Sequence, residues 1–289
     1  MSLPQAFLDS PPAPRYMPSA FLWGSAALHV GALLGVLLVP GAWAGWLALV
    51  VANHAAITGA GLLPRCRWLG PNLVRLPAAA AARGEVALTF DDGPDPATTP
   101  HVLDMLDAAG MRATFFCIGE QVQRHPALAR EIVRRGHALE NHTQTHPHAF
   151  SLHGPRRMAR EVAAAQRTLA EVAGRAPRFF RAVAGLRNPF LQPVLVRHGL
   201  HLASWTRRAY DTRTSHAATV LARLTRGLAA GDILLLHDGH AARTPAGEPV
   251  VLAVLPGLIA ALRARGLRSV TLAAACQVTP AARAQAVSA

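Results

Sequence analysis

The sequence predicts an α/β protein in which a parallel barrel of β/α units follows a helical hairpin that spans a membrane. Three observations lead to this prediction. No Asp, Glu, Lys or Arg occurs between Arg15 and Arg65, a stretch long enough for two apolar spans of about 20 residues each. From Glu85 onward, short apolar runs alternate with amphipathic ones, which is typical of a parallel sheet covered by helices. Glycines stand where the amphipathic runs end, as expected at helix C-termini.

The uncharged N-terminal stretch divides at Pro40-Gly41 into two apolar segments, 20–39 and 42–63. We predict two helices joined by a very short turn, with tryptophans near the segment ends as interfacial anchors. A cleaved signal peptide is the alternative, but the apolar region is too long, starts too late and lacks a preceding basic segment. The predicted division of the chain is a tail at 1–19, the hairpin at 20–63, a linker at 64–84, an α/β domain at 85–275 and a C-terminal tail at 276–289.

The charge of the chain indicates a membrane surface as a partner. There are 29 basic and 16 acidic residues, giving a formal net charge of +13, and every basic residue is Arg. An Arg-rich surface beside anionic lipid accounts for this charge, whereas neither zinc-knuckle spacing nor interleaved aromatic and basic residues favours nucleic acid. Four arginines follow the second apolar segment, so the positive-inside rule predicts an α/β domain on the cytoplasmic side of a bacterial inner membrane. They are Arg65, Arg67, Arg75 and Arg83.

Seven apolar runs are predicted as strands, and amphipathic runs between them as helices. The predicted strands are 86–90, 113–118, 137–141, 178–182, 201–205, 233–237 and 268–272. The predicted helices are 99–109, 127–135, 155–173, 217–229 and 250–265. These units imply a barrel one unit short of eight, or an open doubly wound sheet. In either fold, the functional site is expected at the carboxyl ends of the strands.

Two polar clusters follow the first and third predicted strands. Asp91 and Asp92 stand in Thr-Phe-Asp-Asp-Gly-Pro, where two adjacent carboxylates repel each other unless a cation or proton offsets them; an Asx turn before Gly-Pro is the structural alternative. His142 and His146 are four residues apart, a spacing that places both imidazoles on one face of a helical turn. Asp92 with the two histidines forms a ligand set that suits Zn, Co, Ni or Fe(II) better than Mg or Ca.

Further polar residues are predicted at the carboxyl ends of later strands, and this edge of the sheet is called the rim below. Arg181 lies in strand four, Asp211 follows strand five beyond Trp205, and His237 ends strand six after Leu235. Burying charged side chains is costly unless they have partners. Packing alone is therefore a poor explanation for an Arg, an Asp and a His at one rim. A functional site is the better explanation.

The order of these motifs resembles carbohydrate esterase family 4, the polysaccharide deacetylases related to chitooligosaccharide deacetylases, over roughly residues 85–272. Thr-Phe-Asp-Asp-Gly-Pro followed by His-Thr-x-x-His is a specific signature when both occur in order. The resemblance implies a distorted (β/α)7 barrel of the polysaccharide deacetylase type. It also implies metal-dependent hydrolysis of an N-acyl group on an amino sugar. By this resemblance Asp91 is the general base, Asp92, His142 and His146 hold the metal, and Arg181 orients the base.

The resemblance also implies roles for later residues. Asp211 matches the acidic residue that pairs with this network, and His237 matches the general acid. Leu235 lines the acyl pocket and Trp205 contributes to the substrate site. Where many members read Arg-Pro-Pro-Tyr-Gly, this chain has Arg-Ala-Val-Ala-Gly. Ala184 would therefore supply the backbone N–H of the oxyanion site, while a Tyr side chain that would contact sugar is missing.

These features favour one substrate over another. Arg208 stands where family members often have a second acid, three residues after the strand-five Trp, and with the missing Tyr this argues against a long polysaccharide. The hairpin favours removal of formyl or acetyl from a sugar linked to a polyprenyl lipid, and the family contains a formamido-arabinose lipid deformylase. A deacetylase of N-acetylated glycans outside the cytoplasm is the alternative. A catalytically silent glycan- or lipid-binding membrane protein is a third hypothesis, which the presence of Asp91 and His237 disfavours.

Overall fold

The computed structural model describes residues 13–277 and begins with the two apolar helices. Helix α1 (Ala20–Leu38) and helix α2 (Trp43–Leu62) pack against each other across a 3-10 turn at Pro40–Ala42. Both are long and apolar enough to cross a membrane, with mean hydropathies of 1.8 and 1.3. Polar contacts join them, since Asn53 donates to Ser25 Oγ at 2.8 Å. The helical segments predicted at 20–39 and 42–63 are therefore present, and both expose most of their apolar side chains.

Residues 64–84, which the sequence suggested as a linker, pack along the domain that follows. Helix α3 (Ala78–Ala82) lies in this segment, and Leu76 and Ala80 are buried in the same cluster as the apolar residues of the barrel interior. Leu73 forms a parallel bridge with Ala203. The segment thus forms part of the barrel wall.

The centre of the domain is an eight-stranded parallel sheet. Its strands are β1 (Glu85–Asp91), β2 (Ala113–Cys117), β3 (Ala138–Asn141), β4 (Phe179–Phe180), β5 (His201–Leu202), β6 (Arg207–Arg208), β7 (Ile233–His237) and β8 (Arg268–Ser269). Their order is β5-β4-β3-β2-β1-β7-β6, with β8 also paired to β1. Within residues 13–277 no pairing joins β5 to β6, so the barrel stays open between them. The predicted distorted barrel is confirmed.

The opening lies where the sequence predicted one continuous strand at 201–205. Only the first two residues of that run form β5, and the chain then makes β6, which pairs with β7 at the other end of the sheet. Leu73 takes the place of a neighbouring strand, because its N–H donates to Leu202 O and its carbonyl accepts from Ser204, each at 2.9 Å. The prediction of one strand was therefore wrong, since a segment remote in sequence completes this edge.

Helices cover the outer face of the sheet. They are α4 (Thr99–Ala108), α5 (Gly119–Arg124), α6 (Pro126–Arg134), α7 (Pro155–Ala173), α8 (Leu191–Arg197), α9 (Ala217–Thr225) and α10 (Val250–Arg263). The last short helix, α11 (Leu272–Ala275), packs instead with Leu76 and Ala80 in the barrel interior. Helix α9 ends earlier than predicted, because the chain turns at Gly227, which has a φ of 63°. Strand residues alternate between two cores: Phe115 packs under the helices and Phe116 in the barrel interior. Leu235 shares that interior, directly below the strand ends where the polar residues gather.

Candidate metal centre and active site

Two adjacent carboxylates lie at the carboxyl end of β1. Asp91 is the last residue of the strand and stands in register with His237 of β7. Asp92 follows with a φ of 73°, a left-handed conformation that costs a residue with a Cβ about 1–2 kcal/mol. Asp91 pairs with Arg181 at 2.7 Å, and its Oδ2 lies 3.9 Å from His142 Nε2. Asp92 lies closer to His142 and also contacts His146.

His142 and His146 follow β3 in an irregular loop rather than in the helical turn that their spacing predicted. Thr143 and His146 have φ values of 68° and 51°, and the His146 N–H donates to Thr143 Oγ1 at 3.0 Å. Glu161 of α7 accepts from the Thr145 N–H at 3.0 Å. These loop contacts set the two imidazoles with ring centroids 5.0 Å apart, so the pair converges without a helix.

Asp92, His142 and His146 form a site that fits a divalent metal. Asp92 Oδ1 lies 3.3 Å from His142 Nε2 and 3.2 Å from His146 Nε2, and one ligand atom from each residue lies within 4.8 Å of the others. His142 Nδ1 is 2.8 Å from Arg181 O, to which it donates in the tautomer that leaves Nε2 free as a ligand. Asp92 Oδ1 is buried and accepts no hydrogen bond, which is costly unless a cation is its partner.

The surroundings influence the protonation of these groups. Burial raises the pKa of Asp92, but the neighbouring imidazoles of His142, His240 and His237 outweigh it and hold the pKa well below its ordinary value. Burial and the neighbouring His142 lower the pKa of His146 to about 4. Asp92 is therefore ionised and His146 neutral near pH 7, as metal ligands must be. Burial lowers the pKa of His142, but the charges of Asp91 and Asp92 outweigh it and raise the pKa, so His142 would release a proton when a metal binds.

Arg181 is fully buried behind Asp91. Its Nη1 atom donates to Asp91 Oδ1 at 2.7 Å and to Thr89 Oγ1 at 2.8 Å. Its other donors reach the carbonyls of Ala203 and Ser204, and its guanidinium carbon lies 4.1 Å from the centre of the Phe116 ring. With so many donors engaged, Arg181 fixes the orientation of the Asp91 carboxylate.

His237 is paired with Asp211, which is also fully buried. Asp211 Oδ1 lies 2.8 Å from His237 Nδ1, and Oδ2 accepts the His237 N–H at 2.7 Å. Burial lowers the pKa of His237, but the charge and hydrogen bond of Asp211 outweigh it and raise the pKa to about 9. Asp238 follows His237 directly in sequence but does not pair with it; its Oδ2 accepts from Thr99 Oγ1 at 2.6 Å.

A cavity of about 490 Å³ opens over these groups. Eight of the ten residues predicted for the site line it, and the other two, Arg181 and Asp211, lie directly behind Asp91 and His237. The eight are Asp91, Asp92, His142, His146, Ala184, Trp205, Leu235 and His237.

Three further residues that line the cavity were not among the predicted site residues. His240 Nδ1 lies 3.4 Å from Asp92 Oδ2, and its position just after His-Asp-Gly at the end of β7 was the signal that could have identified it. His148 also lines the cavity, and its ring centroid lies 5.8 Å from that of His146. Arg208 also lines the cavity.

The end of helix α2 contacts the loop that contains Ala184. Gly61 O accepts the Arg187 N–H at 3.1 Å, and a Cβ on Gly61 would lie 2.2 Å from Arg187 O. Gly185 is also close to its neighbours: a Cβ added there would lie 2.7 Å from Pro64 and 2.5 Å from Trp205. Ala184 itself has a φ of 54°. The apolar hairpin is therefore joined to one wall of the cavity.

Comparisons with known proteins agree on one family. The family model described as polysaccharide deacetylase matches residues 78–203. A peptidoglycan-N-acetylglucosamine deacetylase of Bacillus cereus is 32% identical over 189 residues, covering 65% of this chain and 85% of that protein. A chitooligosaccharide deacetylase of Sinorhizobium fredii is 34% identical over 197 residues, covering 66% and 91%.

Solved structures share the fold. A family 4 carbohydrate esterase from Streptomyces lividans, in complex with acetate, superposes with a TM-score of 0.58 at 32% identity, covering 64% of this chain and 91% of that one. A family pseudoenzyme from Bacillus anthracis has a TM-score of 0.63 at 19% identity, covers 71% of this chain and 69% of that one, and is similar in fold alone. The sequence motifs, the sheet and these relatives lead to one conclusion: the chain belongs to the polysaccharide deacetylase family, hydrolases that act on the amide bonds of N-acetyl amino sugars.

Proposed function

We propose that this protein removes an N-acetyl or N-formyl group from an amino sugar with the help of a divalent metal. The proposal rests on the different surroundings of two adjacent acids at the end of β1: Arg181 pairs with Asp91, and two imidazoles face Asp92. Relatives named as deacetylases of chitooligosaccharides and of peptidoglycan N-acetylglucosamine support N-acetylated glycans as the substrate class.

Asp92, His142 and His146 would hold the metal. Zn is our first choice, with Co, Ni or Fe(II) as alternatives, because these ions favour two imidazoles with one carboxylate. The buried Asp92 Oδ1 atom that accepts no hydrogen bond supports this choice. An ion bound there would supply Lewis acidity, which polarises the amide carbonyl and lowers the pKa of water toward roughly 7.

Asp91 would act as the general base that takes a proton from the attacking water. Its carboxylate lies beside the three ligands and is oriented by Arg181 at 2.7 Å. Because Arg181 is buried and also hydrogen-bonded to carbonyls, Asp91 has little freedom to rotate away from the reacting atoms. Arg181 is thus a positioning residue.

His237 would protonate the departing sugar nitrogen. Its pKa of about 9, raised by Asp211 against the effect of burial, keeps it a proton donor at neutral pH. We assign the oxyanion contact to the Ala184 N–H, because Ala184 lines the same cavity. Leu235 and Trp205 supply the apolar wall for the acyl group.

The contact between the hairpin and the site supports a lipid-linked substrate. Gly61 and Pro64 adjoin the loop of Ala184, so a sugar carried by a polyprenyl lipid in the membrane would lie near the cavity. We propose the cytoplasmic face of a bacterial inner membrane, because arginines follow α2, and we take residues 85–275 as the catalytic domain. The alternative of a catalytically silent glycan- or lipid-binding protein is disfavoured, because Asp91 and His237 are both present and both contact charged partners.

Amine release tests the proposal. The full chain, purified in detergent, is assayed with N-acetylated chitooligosaccharides and with a polyprenyl-phosphate-linked N-acetyl amino sugar, before and after chelation and with Zn added back. We expect primary amine to appear, to stop on chelation and to return with metal. Protein that holds one equivalent of metal and releases no amine from either substrate, nor from the N-formyl analogue of the lipid-linked one, would contradict the proposal.

A further inference from the structure

We infer that Arg208 forms an anion-binding subsite in the wall of the cavity, and that the substrate carries a phosphate or carboxylate beside its N-acylated sugar ring. The inference rests on the proposed function and specifies its substrate class. Arg208 belongs to β6 and stands in register with Leu235 of β7, two residues before His237. It lines the same cavity as Asp91 and His237.

Arg208 is held in place by aromatic rings. Its guanidinium carbon lies 5.3 Å from the Trp205 ring centre and 4.9 Å from that of Tyr210. Cation–π contacts position a guanidinium without neutralising its charge. A planar, pre-oriented guanidinium is suited to hold a phosphate or carboxylate through two parallel hydrogen bonds.

Arg208 has no acidic partner among residues 13–277, where no carboxylate oxygen lies within 4.0 Å of it. Its Nε atom is buried and makes no hydrogen bond. The neighbouring Arg207, by contrast, is paired with Asp232. The acids that line the cavity have other neighbours: Asp91 contacts Arg181, Glu120 contacts Arg124 at 3.6 Å, and Asp92 faces the two histidines. A half-buried cation of this kind gains most from an anion that arrives with the substrate.

The position of Arg208 favours a phosphate from the membrane side. Trp205, which Arg208 stacks on, contacts Gly185, and Gly185 contacts Pro64 just beyond the end of α2. This wall of the cavity is therefore continuous with the exit of the hairpin. A glycosyl phosphate, whose anion lies between sugar and lipid, matches that order of contacts.

The test compares three N-acetylated substrates by kcat/KM for amine release: N-acetylglucosamine 1-phosphate, N-acetylmuramic acid and neutral tri-N-acetylchitotriose. The variants are Arg208→Ala, Arg208→Lys and the control Arg223→Ala. The guanidinium carbon of Arg223 lies 5.5 Å from the ring centre of the same tyrosine, but Arg223 does not line the cavity. We expect Arg208→Ala to lower the phosphate-to-neutral ratio about tenfold or more, Arg208→Lys to restore part of it, and Arg223→Ala to keep it.

Binding separates this inference from the proposed function. In an Asp91→Asn background with metal bound, Arg208→Ala should weaken binding of the sugar phosphate about tenfold relative to N-acetylglucosamine. That result supports the subsite even if no substrate is hydrolysed. A larger loss for the muramic acid would identify a carboxylate as the anion. Equal losses for charged and neutral sugars, or an equal effect of Arg223→Ala, would overturn the inference.

Discussion

Asp91 and Asp92 are adjacent in the chain, and the backbone turns at Asp92 with a φ of 73°. Asp91 pairs with Arg181 at 2.7 Å, while Asp92 lies nearest to His142 and His146. Sequence motifs identified both carboxylates and the two histidines, since each lies next to a predicted strand end. They could not decide which acid serves His237. Asp238 is adjacent in sequence, yet Asp211 is the partner at 2.8 Å, and such pairing depends on how β6 and β7 align.

Replacement of Asp91 separates proton transfer from metal binding. Asp91→Asn keeps a side-chain oxygen that can accept from Arg181, but it loses the base, so we expect kcat to fall about 10²–10⁴-fold with the metal content unchanged. Metal analysis and amine release on one preparation measure both. His142→Ala is the matched comparison, expected to lose metal and activity together. Normal turnover of Asp91→Asn would remove this residue from the mechanism.

The pair of Asp211 and His237 predicts a shift in pH dependence. A raised His237 pKa of about 9 means that the protonated acid persists through neutral pH and is lost as pH rises through that value. Asp211→Asn removes the carboxylate that raises the pKa and leaves burial, which lowers it. We therefore expect the alkaline limb of kcat/KM to move to lower pH, and activity at pH 8 to fall more than at pH 6. An unshifted limb would exclude His237 as the acid.

Helices and long strands were predictable from the sequence, whereas short strands were not. Helix α7 occupies the predicted residues 155–173 because it has strong amphipathic periodicity and Gly174 follows it in a left-handed conformation. Strands β5 and β6 contain two residues each, too few for an alternating pattern to register. Between them, Ala203 pairs with Leu73, which is more than one hundred residues away in sequence. The loop that follows β3 likewise takes its shape from Glu161 of α7, which no local pattern indicates.

The junction of α2 with the Ala184 loop predicts an effect of helix packing on catalysis. A methyl group in Gly61→Ala would lie 2.2 Å from Arg187 O and must displace the loop. Since small misplacements of catalytic groups are costly, we expect kcat to fall about tenfold or more with the metal retained. Gly59→Ala is the control, because a Cβ there meets nothing within 4 Å. Equal kcat values for the two variants would mean that the loop does not depend on α2.

At the scale of the whole molecule, the sequence predicted an apolar hairpin followed by a barrel, and the order of elements agrees. It could not reveal that residues 64–84 line the barrel, because an apolar residue such as Leu76 in a short irregular segment carries no periodic signal. Because residues 64–84 pack tightly against the barrel, the end of α2 lies beside the cavity, and the proposed membrane-spanning hairpin would hold the cavity close to one membrane face. The side of the membrane that the cavity faces would then be set by the orientation of the hairpin.

Arginines at the exit of α2 predict a cytoplasmic catalytic domain. Arg65 and Arg67 follow α2, while the turn between the helices carries no charge. We therefore expect the turn to cross the membrane and the arginines to remain on the cytoplasmic side. We expect a green fluorescent protein fused after Ala289 to fluoresce in bacterial cells, and alkaline phosphatase at the same position to be inactive. A fusion of each reporter between Pro40 and Gly41 should give the opposite pattern. Active phosphatase at the C-terminus would place the cavity outside the cytoplasm and favour an N-acetylated glycan there as substrate.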